Sequence, residues 1–381
     1  MSHVVTDTRP VIVAGARSPI GSAGGAFRAL TVEDLAAPVL AEVRHRAGGQ
    51  LPDDVILGNC MGPGGNIARV CSLAAGLPVE VPAMTVDRQC ASGLASIATG
   101  VDRVSARQGQ VLAGGVESAS TAPWRVWPPD SAGSGTRYER APFAPRGWDD
   151  PDMGAAADAL ASARGISRQR QDEYAARSHE RAIAAIEGGA FEHELVQVGG
   201  VTRDERPRAG LTAERLARFP AAFADAGSVT AGNSCGVNDA SAAVAIVDGV
   251  TARASGVAGL RVLAHAAAGV RPEVPGLGLV PAARAALQRA GLAWEDIDVI
   301  EFNEAFAGQV LACCDELGID DARICAQGGA LALGHPWGAS GAVLMVRLFA
   351  QLVTQGLGRY GLAAVAAGGG QGVAVVVETC R

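Results

Sequence analysis

One cysteine, Cys90, stands where the chain could form a covalent bond with a substrate. It lies among small residues in the segment 88–93 (RQCASG), directly before a predicted helix. The positive end of a helix favours the thiolate, which is the nucleophilic form of cysteine, so this position predicts a lowered thiol pKa. A buried cysteine that packs as a small hydrophobic residue fits the same segment when the segment is taken alone.

The residues that flank Cys90 predict the elements that position it. Apolar residues recur at helical spacing from Leu94 to Val104, and the residues between them are mostly Ala, Ser, Thr and Gly, which is typical of a closely packed central helix. Apolar runs near 10–14, 55–57 and 111–113 predict buried strands. Strands that alternate with helices predict a mostly parallel sheet covered on both faces.

The composition is that of a globular chain built from small side chains. Its 381 residues include 50 glycines and are 49% hydrophobic, which is enough for a large core in two or three units. The net charge of −7 argues against nucleic acid or an anionic membrane as the main partner. No targeting segment and no apolar stretch long enough to cross a bilayer is recognised, so we expect a cytoplasmic protein. The spacing of the eight cysteines predicts reduced thiols, with neither disulfides nor a metal site.

The last third of the chain repeats the plan of the first, which indicates an internal duplication. The matching segments are 54–59 with 298–303, and 91–93 with 339–341. Between the repeats, the segment 121–152 is rich in Pro, Gly and Trp and has no period. A long irregular insertion of this kind is a lid, an oligomer contact or an ordered surface loop.

The chain resembles the thiolase family, which comprises acetyl-CoA acetyltransferases and 3-ketoacyl-CoA thiolases. The resemblance covers nearly the whole chain, and the segments that carry it, in family order, are 17–21, 88–94, 114–118, 231–239, 303–306, 334–341 and 368–370. It implies an α/β protein with the duplicated, five-layered α-β-α-β-α fold of thiolases and an inserted loop domain. The implied units are an N-terminal half at 1–118 (completed by 237–258), the insertion at 119–236 and a C-terminal half at 259–381.

The resemblance also implies roles for particular residues. Cys90 would take the acyl group from a thioester, and His335, in a Gly-His-Pro motif, would accept the thiol proton. Asn303 would hold a water that binds the oxygen of a developing enolate together with His335. The backbone amides of Cys90 and Gly368 would form a second oxyanion hole. The residues expected to contact the substrate are Met153, Cys235, Ala305 and Phe306.

Ala366 is the main departure from the family pattern. Thiolases carry a second cysteine there, which removes the α-proton during condensation and returns it during thiolysis. Because a placed acid or base contributes roughly 10²- to 10⁴-fold, ordinary thiolysis and condensation are in doubt. Asp152 replaces a family histidine, and Cys235 replaces the serine that contacts pantetheine. Cys235 is a candidate substitute for the missing acid, although a packed loop residue fits this position as well.

The sequence therefore predicts a thiolase-like acyltransferase that acts on an acyl-CoA or acyl-carrier thioester through an acyl-Cys90 intermediate. No cofactor is expected besides the coenzyme A thioester that serves as substrate. The alternatives are decarboxylative condensation, acyl transfer to an acceptor other than CoA, and a non-catalytic acyl-CoA-binding subunit. A homodimer paired through the edge of the first-half sheet is expected, with a tetramer as the alternative.

Overall fold

The computed structural model describes residues 8–107, 109–129 and 133–381, so the parts of the predicted units at 1–7, 108 and 130–132 lie outside the described residues. The strands are β1 (Val11–Arg17), β2 (Gly21–Ser22), β3 (Asp54–Gly58), β4 (Ala83–Val86), β5 (Gln110–Ser118), β6 (Arg125–Trp127), β7 (Thr136–Tyr138), β8 (Asn238–Val247), β9 (Gly259–Gly269), β10 (Val299–Phe302), β11 (Tyr360–Ala367) and β12 (Gln371–Cys380). The helices are α1 (Val32–Arg46), α2 (Ile67–Ala74), α3 (Ser92–Arg107), α4 (Met153–Ala163), α5 (Arg168–Glu187), α6 (Ala213–Leu216), α7 (Gly249–Ser255), α8 (Leu279–Ala290), α9 (Ala307–Leu317), α10 (Ala330–Leu333) and α11 (Trp337–Phe349).

The predicted strands and the central helix are present at the expected places. The apolar runs form β1, β3 and β5, which are buried along their whole length. The helix after Cys90 is α3, and its apolar positions Leu94, Ile97 and Val104 are each at most 1% exposed. The polypeptide around the cysteine therefore follows the hydrophobic period read from the sequence.

The strands form one continuous sheet in the order β10-β11-β12-β9-β1-β8-β5-β3-β4, with β2 paired to β8. The β3–β4, β3–β5 and β10–β11 pairs are parallel, but β8 and β12 run antiparallel to both of their neighbours in this order. The expected mostly parallel sheet was therefore wrong. Each half contains strands joined by hairpins or by the long insertion, and these connections do not require a parallel crossover.

The layers follow from where the helices pack. α3 and α11 contact each other between the two sections of the sheet, and those sections meet only at the short β1–β9 pairing. α1 and α2 cover the outer face of the first section, and α8 and α9 cover the outer face of the second. This is the predicted five-layered arrangement, which places the first turns of α3 and α11 side by side.

Helix α11 also bears on the expectation that no stretch could cross a membrane. Among the described residues, the helical stretch Trp337–Thr354 has the length and mean hydropathy of a membrane span, although Arg347 interrupts its apolar residues. Inside the fold, 78% of that stretch is buried. Its burial is that of a core helix.

The segment 121–152 contains two short strands, although its sequence shows no period. β6 and β7 form a two-stranded sheet in which the rings of Trp127 and Tyr138 stack, with their centroids 4.6 Å apart. The helices α4 and α5 then pack against α9 and α10 of the second half. The insertion therefore contacts the part of the molecule that carries His335. The exact bounds of the three units stay a prediction.

Candidate active site

The turn that presents Cys90 is held by a serine from the first turn of α3. Gln89 has a φ of +49°, a left-handed conformation that costs a non-glycine residue about 1–3 kcal/mol. Ser92 Oγ accepts a hydrogen bond from Arg88 N at 2.7 Å and donates one to Gln89 O at 2.6 Å. These two bonds stabilise the strained turn. The conformation of the turn sets the direction in which the Cys90 side chain points.

The Cys90 thiol is half-buried and accepts a hydrogen bond from the backbone N–H of Gly368. Burial raises the pKa of Cys90 to about 12, and the N–H groups of Gly368 and of Cys90 itself offset only part of that rise. The expected lowering of the thiol pKa was therefore wrong, because loss of water around the sulfur outweighs the helix N-terminus. A thiol with this pKa needs a base to become a nucleophile at neutral pH.

His335 has the properties of that base. Its side chain is 2% exposed, and burial lowers its pKa to about 4, so the imidazole is neutral at pH 7. With Asn303 Nδ2 donating to Nε2 over 3.4 Å, the ring proton lies on Nδ1, which donates to Ser340 Oγ at 2.6 Å. The backbone N–H of His335 donates to Asn238 Oδ1 at 2.9 Å. The ring is therefore oriented from both sides, with an unprotonated Nε2 next to Asn303.

Asn303 follows β10 and is anchored by its backbone N–H, which donates to Ala364 O at 3.0 Å. Its side chain is buried, and Oδ1 has no hydrogen-bond partner among the described residues. Burying an amide oxygen without a hydrogen-bond partner lowers the stability of a folded protein, so such atoms are rare in protein cores. Beside the imidazole of His335, it indicates a site that receives a further polar group.

The triple glycine 368–370 joins β11 to β12 and lies beneath the insertion. A Cβ atom on Gly368 would lie 2.6 Å from the ring of Phe143, so a side chain at this position would collide with the ring. Phe143 is held in turn by its N–H, which donates to Asp150 Oδ2 at 3.0 Å. The insertion therefore covers the backbone that donates to Cys90. The sequence analysis had not singled out Phe143.

The four residues expected to contact a substrate come together at one place. Met153 and Ala305 pack in one apolar cluster with Phe306, and Cys235 N donates to Ala305 O at 2.9 Å. The Cys235 thiol lies close enough to Cys90 for the charge of one thiolate to oppose ionisation of the other. The structure thus places this cluster beside the candidate nucleophile.

Two of the three departures from the family pattern, Cys235 and Ala366, differ in what surrounds them. Cys235 has its pKa raised to about 12, first by burial and then by the charge of Cys90, while the Arg206 guanidinium opposes the rise. Ala366 is half-buried on β11, where it pairs with Gly372 and offers no titratable group. Cys235 therefore carries a titratable thiol near Cys90, whereas position 366 carries no titratable group.

A groove beside Cys235 carries a concentration of positive charge. It has a volume of about 430 Å³, and Arg206, Arg208 and Arg215 line it together with Phe219. Arg206 Nε is buried and has no hydrogen-bond partner in the described part of the chain, although the guanidinium packs directly against Gly236. Three guanidinium groups beside an aromatic ring suit a ligand that carries both phosphate and an aromatic base. The sequence analysis missed this groove, for which the arginines between 203 and 218 were the available signal.

Comparison with known proteins gives a single answer. The thiolase N-terminal domain model matches residues 10–249, and the thiolase C-terminal domain model matches residues 257–379. An acetyl-CoA acetyltransferase of Pseudomonas aeruginosa is 42% identical over 96% of this chain and 98% of its own length. A beta-ketoadipyl-CoA thiolase of the same organism is 41% identical over 97% and 99%.

A solved structure agrees with these relatives. The crystal structure of the Bacillus anthracis acetyl-CoA acetyltransferase superposes with a TM-score of 0.90 at 37% identity, and the match covers 98% of this chain and 100% of that one. The chain therefore belongs to the thiolase family and is an acyltransferase of that family.

Proposed function

We propose that this acyltransferase takes an acyl group from acyl-CoA onto Cys90 and passes it to a second acceptor. The observation that carries the proposal is the pairing of the Cys90 thiol with the Gly368 N–H, since that donor would also meet the carbonyl oxygen of a thioester. The neutral His335 ring supplies a base for the thiol proton. The leaving group is the CoA thiolate, which takes up a proton as the acyl-Cys90 thioester forms.

The groove supports CoA as the carrier of the acyl group. Arg206, Arg208 and Arg215 offer cationic partners for its phosphates, and Phe219 offers a ring for its adenine. The apolar cluster of Met153 and its neighbours contacts Cys235 through Ala305, and it offers an uncharged surface for the pantetheine arm. On this proposal the thioester is the only coenzyme involved, and the protein works in the cytoplasm.

The half-buried Ala366 favours a second candidate for the step after acylation. Removal of an α-proton needs a base that position 366 does not supply, whereas decarboxylation of a malonyl-type thioester generates its carbanion without one. The Cys90, His335 and Asn303 set is sufficient for that reaction. The same reasoning covers transfer of the acyl group to an acceptor other than CoA.

Mass spectrometry of the intact protein after incubation with acetyl-CoA and longer acyl-CoAs tests the acylation step. We expect the parent protein to gain one acyl mass and release one CoA, and Cys90→Ala to gain none. Cys380→Ala is the matched control, because Cys380 is another half-buried free thiol, and it should label like the parent. Labelling of Cys90→Ala to the parental extent would exclude this mechanism, and absence of CoA release from the parent would favour a binding subunit.

A further inference from the structure

We propose that Glu117 is a positioning residue that holds the Cys90 turn and the His335 loop in their working arrangement. It lies near the end of β5, and its side chain is fully buried. A buried carboxylate is costly unless its oxygens accept several hydrogen bonds. The partners of Glu117 therefore show which parts of the molecule it serves.

The Glu117 carboxylate accepts four hydrogen bonds, and they come from both halves of the molecule. Three donors lie in the loop that follows β3 in the first half, and the fourth lies in the first turn of α11 in the second half. The donors are Asn59 Nδ2 (3.0 Å), Cys60 N (3.1 Å), Met61 N (3.0 Å) and Gly338 N (2.9 Å). One side chain thus joins segments that are far apart along the chain.

Both joined segments lead directly to reacting groups. On one side, Cys60 Sγ donates to Gln89 O at 3.0 Å, so the loop after β3 supports the strained turn before Cys90. On the other side, Gly338 lies between His335 and Ser340, which holds the imidazole. A shift at the carboxylate would therefore change the position of Cys90 relative to His335.

The packing around Glu117 explains why its hydrogen bonds matter for the contact between the two halves. Four glycines bring the two halves into backbone contact here: a Cβ on Gly115 would lie 2.0 Å from Gly338 O, and a Cβ on Gly58 or Gly93 would lie 2.7 Å from the same atom. Bare backbones allow this close approach but have no side chains to interlock. Charge-assisted hydrogen bonds to Glu117 supply directional contacts between the halves at this point.

The charge of Glu117 also affects the pKa of the nearby thiols. The pH at which Cys90 ionises therefore tests the role of Glu117, because a residue with a purely structural role would not change it. Burial raises the pKa of Cys90 and of Cys60, and the Glu117 carboxylate raises both further. Asp87 is the other carboxylate that acts on these two thiols. Burial also raises the pKa of Glu117 itself, to about 7, so it is ionised at the alkaline pH where Cys90 titrates.

The test is Glu117→Gln, which keeps the size of the side chain but turns an NH₂ group towards backbone donors. We expect acylation of the protein by acetyl-CoA to slow roughly 10²-fold, the loss typical of a reacting group displaced by about 1 Å. We also expect the midpoint of Cys90 alkylation by iodoacetamide to move to lower pH, because a negative charge near the thiol is gone. Quenched-flow mass spectrometry measures both quantities.

Asp87→Asn and Glu117→Asp separate charge from position. Asp87 is exposed, and its Oδ1 accepts from Gln89 N at 2.8 Å, a bond that asparagine can keep. Asp87→Asn should lower the alkylation midpoint while acylation stays near the parental rate. Glu117→Asp keeps the charge on a shorter side chain, so it should slow acylation without moving the midpoint, and it carries the test if Glu117→Gln does not fold.

Several outcomes would overturn the inference. A parental acylation rate in either Glu117 variant would remove the positioning role, and slower acylation of Glu117→Gln with an unchanged midpoint would leave only a structural one. The acylation measurement rests on the proposed function, but the alkylation measurement does not. A parent protein that is never acylated would therefore refute the proposed function, while the midpoint of Glu117→Gln still tests the link between Glu117 and Cys90.

Discussion

The two halves carry the same Ala-Ser-Gly sequence at the start of their central helices and use it differently. In the first half, Ser92 fastens the backbone of the turn that presents Cys90. In the second half, Ser340 fastens the imidazole ring of His335. The same hydroxyl at the same place in each half thus fixes the candidate nucleophile through its backbone in one half and the candidate base through its side chain in the other.

This difference shows how a duplicated fold can make a single site. The first half supplies the candidate nucleophile, and the second supplies His335, Asn303 and the Gly368 N–H. Because the central helices begin side by side, residues at their first turns can serve one shared site. Cys90 and His335 lie in different halves, so the contact between the halves decides how these two candidate groups are placed relative to each other.

The largest predicted effect comes from placing a thiol at position 366. Ala366→Cys should raise thiolysis of a 3-ketoacyl-CoA by roughly 10²-fold, the lower range for a placed acid or base. Acylation of Cys90 by acetyl-CoA should stay close to the parental rate, because that step uses His335. Spectrophotometric assay of 3-ketoacyl-CoA loss measures the first quantity, and mass spectrometry measures the second.

Cys235→Ser in both backgrounds is the companion measurement. If the parent already catalyses fast thiolysis and Cys235→Ser abolishes it, Cys235 supplies the proton. Ala366 then does not limit thiolysis. If Ala366→Cys changes nothing while malonyl-CoA turns over, the acceptor step has changed to a decarboxylative one.

The two serines give a prediction of intermediate size. Ser340→Ala should slow acylation at pH 7 by roughly three- to tenfold, the equivalent of one net hydrogen bond, because the reactive tautomer of His335 loses its partner. Alkylation of Cys90 at alkaline pH needs no base and should be unaffected. Ser92→Ala should slow both reactions, since it releases the turn itself. Equal slowing of both reactions by Ser340→Ala would contradict this difference, because Ser340 would then affect Cys90 itself, as Ser92 does.

Comparing the sequence with the structure shows which features can be predicted from residue patterns. The strands and α3 were predictable because periodic burial leaves a periodic pattern, and the fold was predictable because the family segments span the chain. The pKa of Cys90 was not, because it depends on Gly368 and on enclosing residues distant in sequence. For the same reason, the sequence places Glu117 in a family segment but does not reveal its role. That role depends on four hydrogen-bond donors, which only the structure locates.

The repeated Ala-Ser-Gly segments were visible in the sequence, but their two uses were not. Spacing alone places a serine near each helix start, whereas the partner of its hydroxyl depends on the local turn. The antiparallel strands are a similar case. β8 follows an insertion of more than 100 residues, so its direction relative to β5 leaves no local signal.

The outer edges of the sheet also differ between the halves. A substitution at the exposed edge is expected to have the smallest effect on acylation of Cys90. β10, at the edge of the second half, is fully buried, and Cys325 N donates to Ile300 O at 2.9 Å along that edge. β4, at the edge of the first half, is partly exposed, with Met84 36% exposed. An uncovered edge strand invites pairing with another chain, so we expect two copies to associate through β4.

Met84→Lys should therefore weaken the dimer at least roughly tenfold, because each copy loses a buried methionine contact and gains a charge in the interface. Light scattering and sedimentation over a concentration series measure this change. Val250→Lys is the matched control, since Val250 is a similarly exposed apolar residue on α7 and its replacement should leave the dimer intact. Cys90 labelling should change little in either variant, because the described contacts of its thiol come from the same chain. A parent protein that stays monomeric at micromolar concentration would show that the open edge of the first half has another purpose.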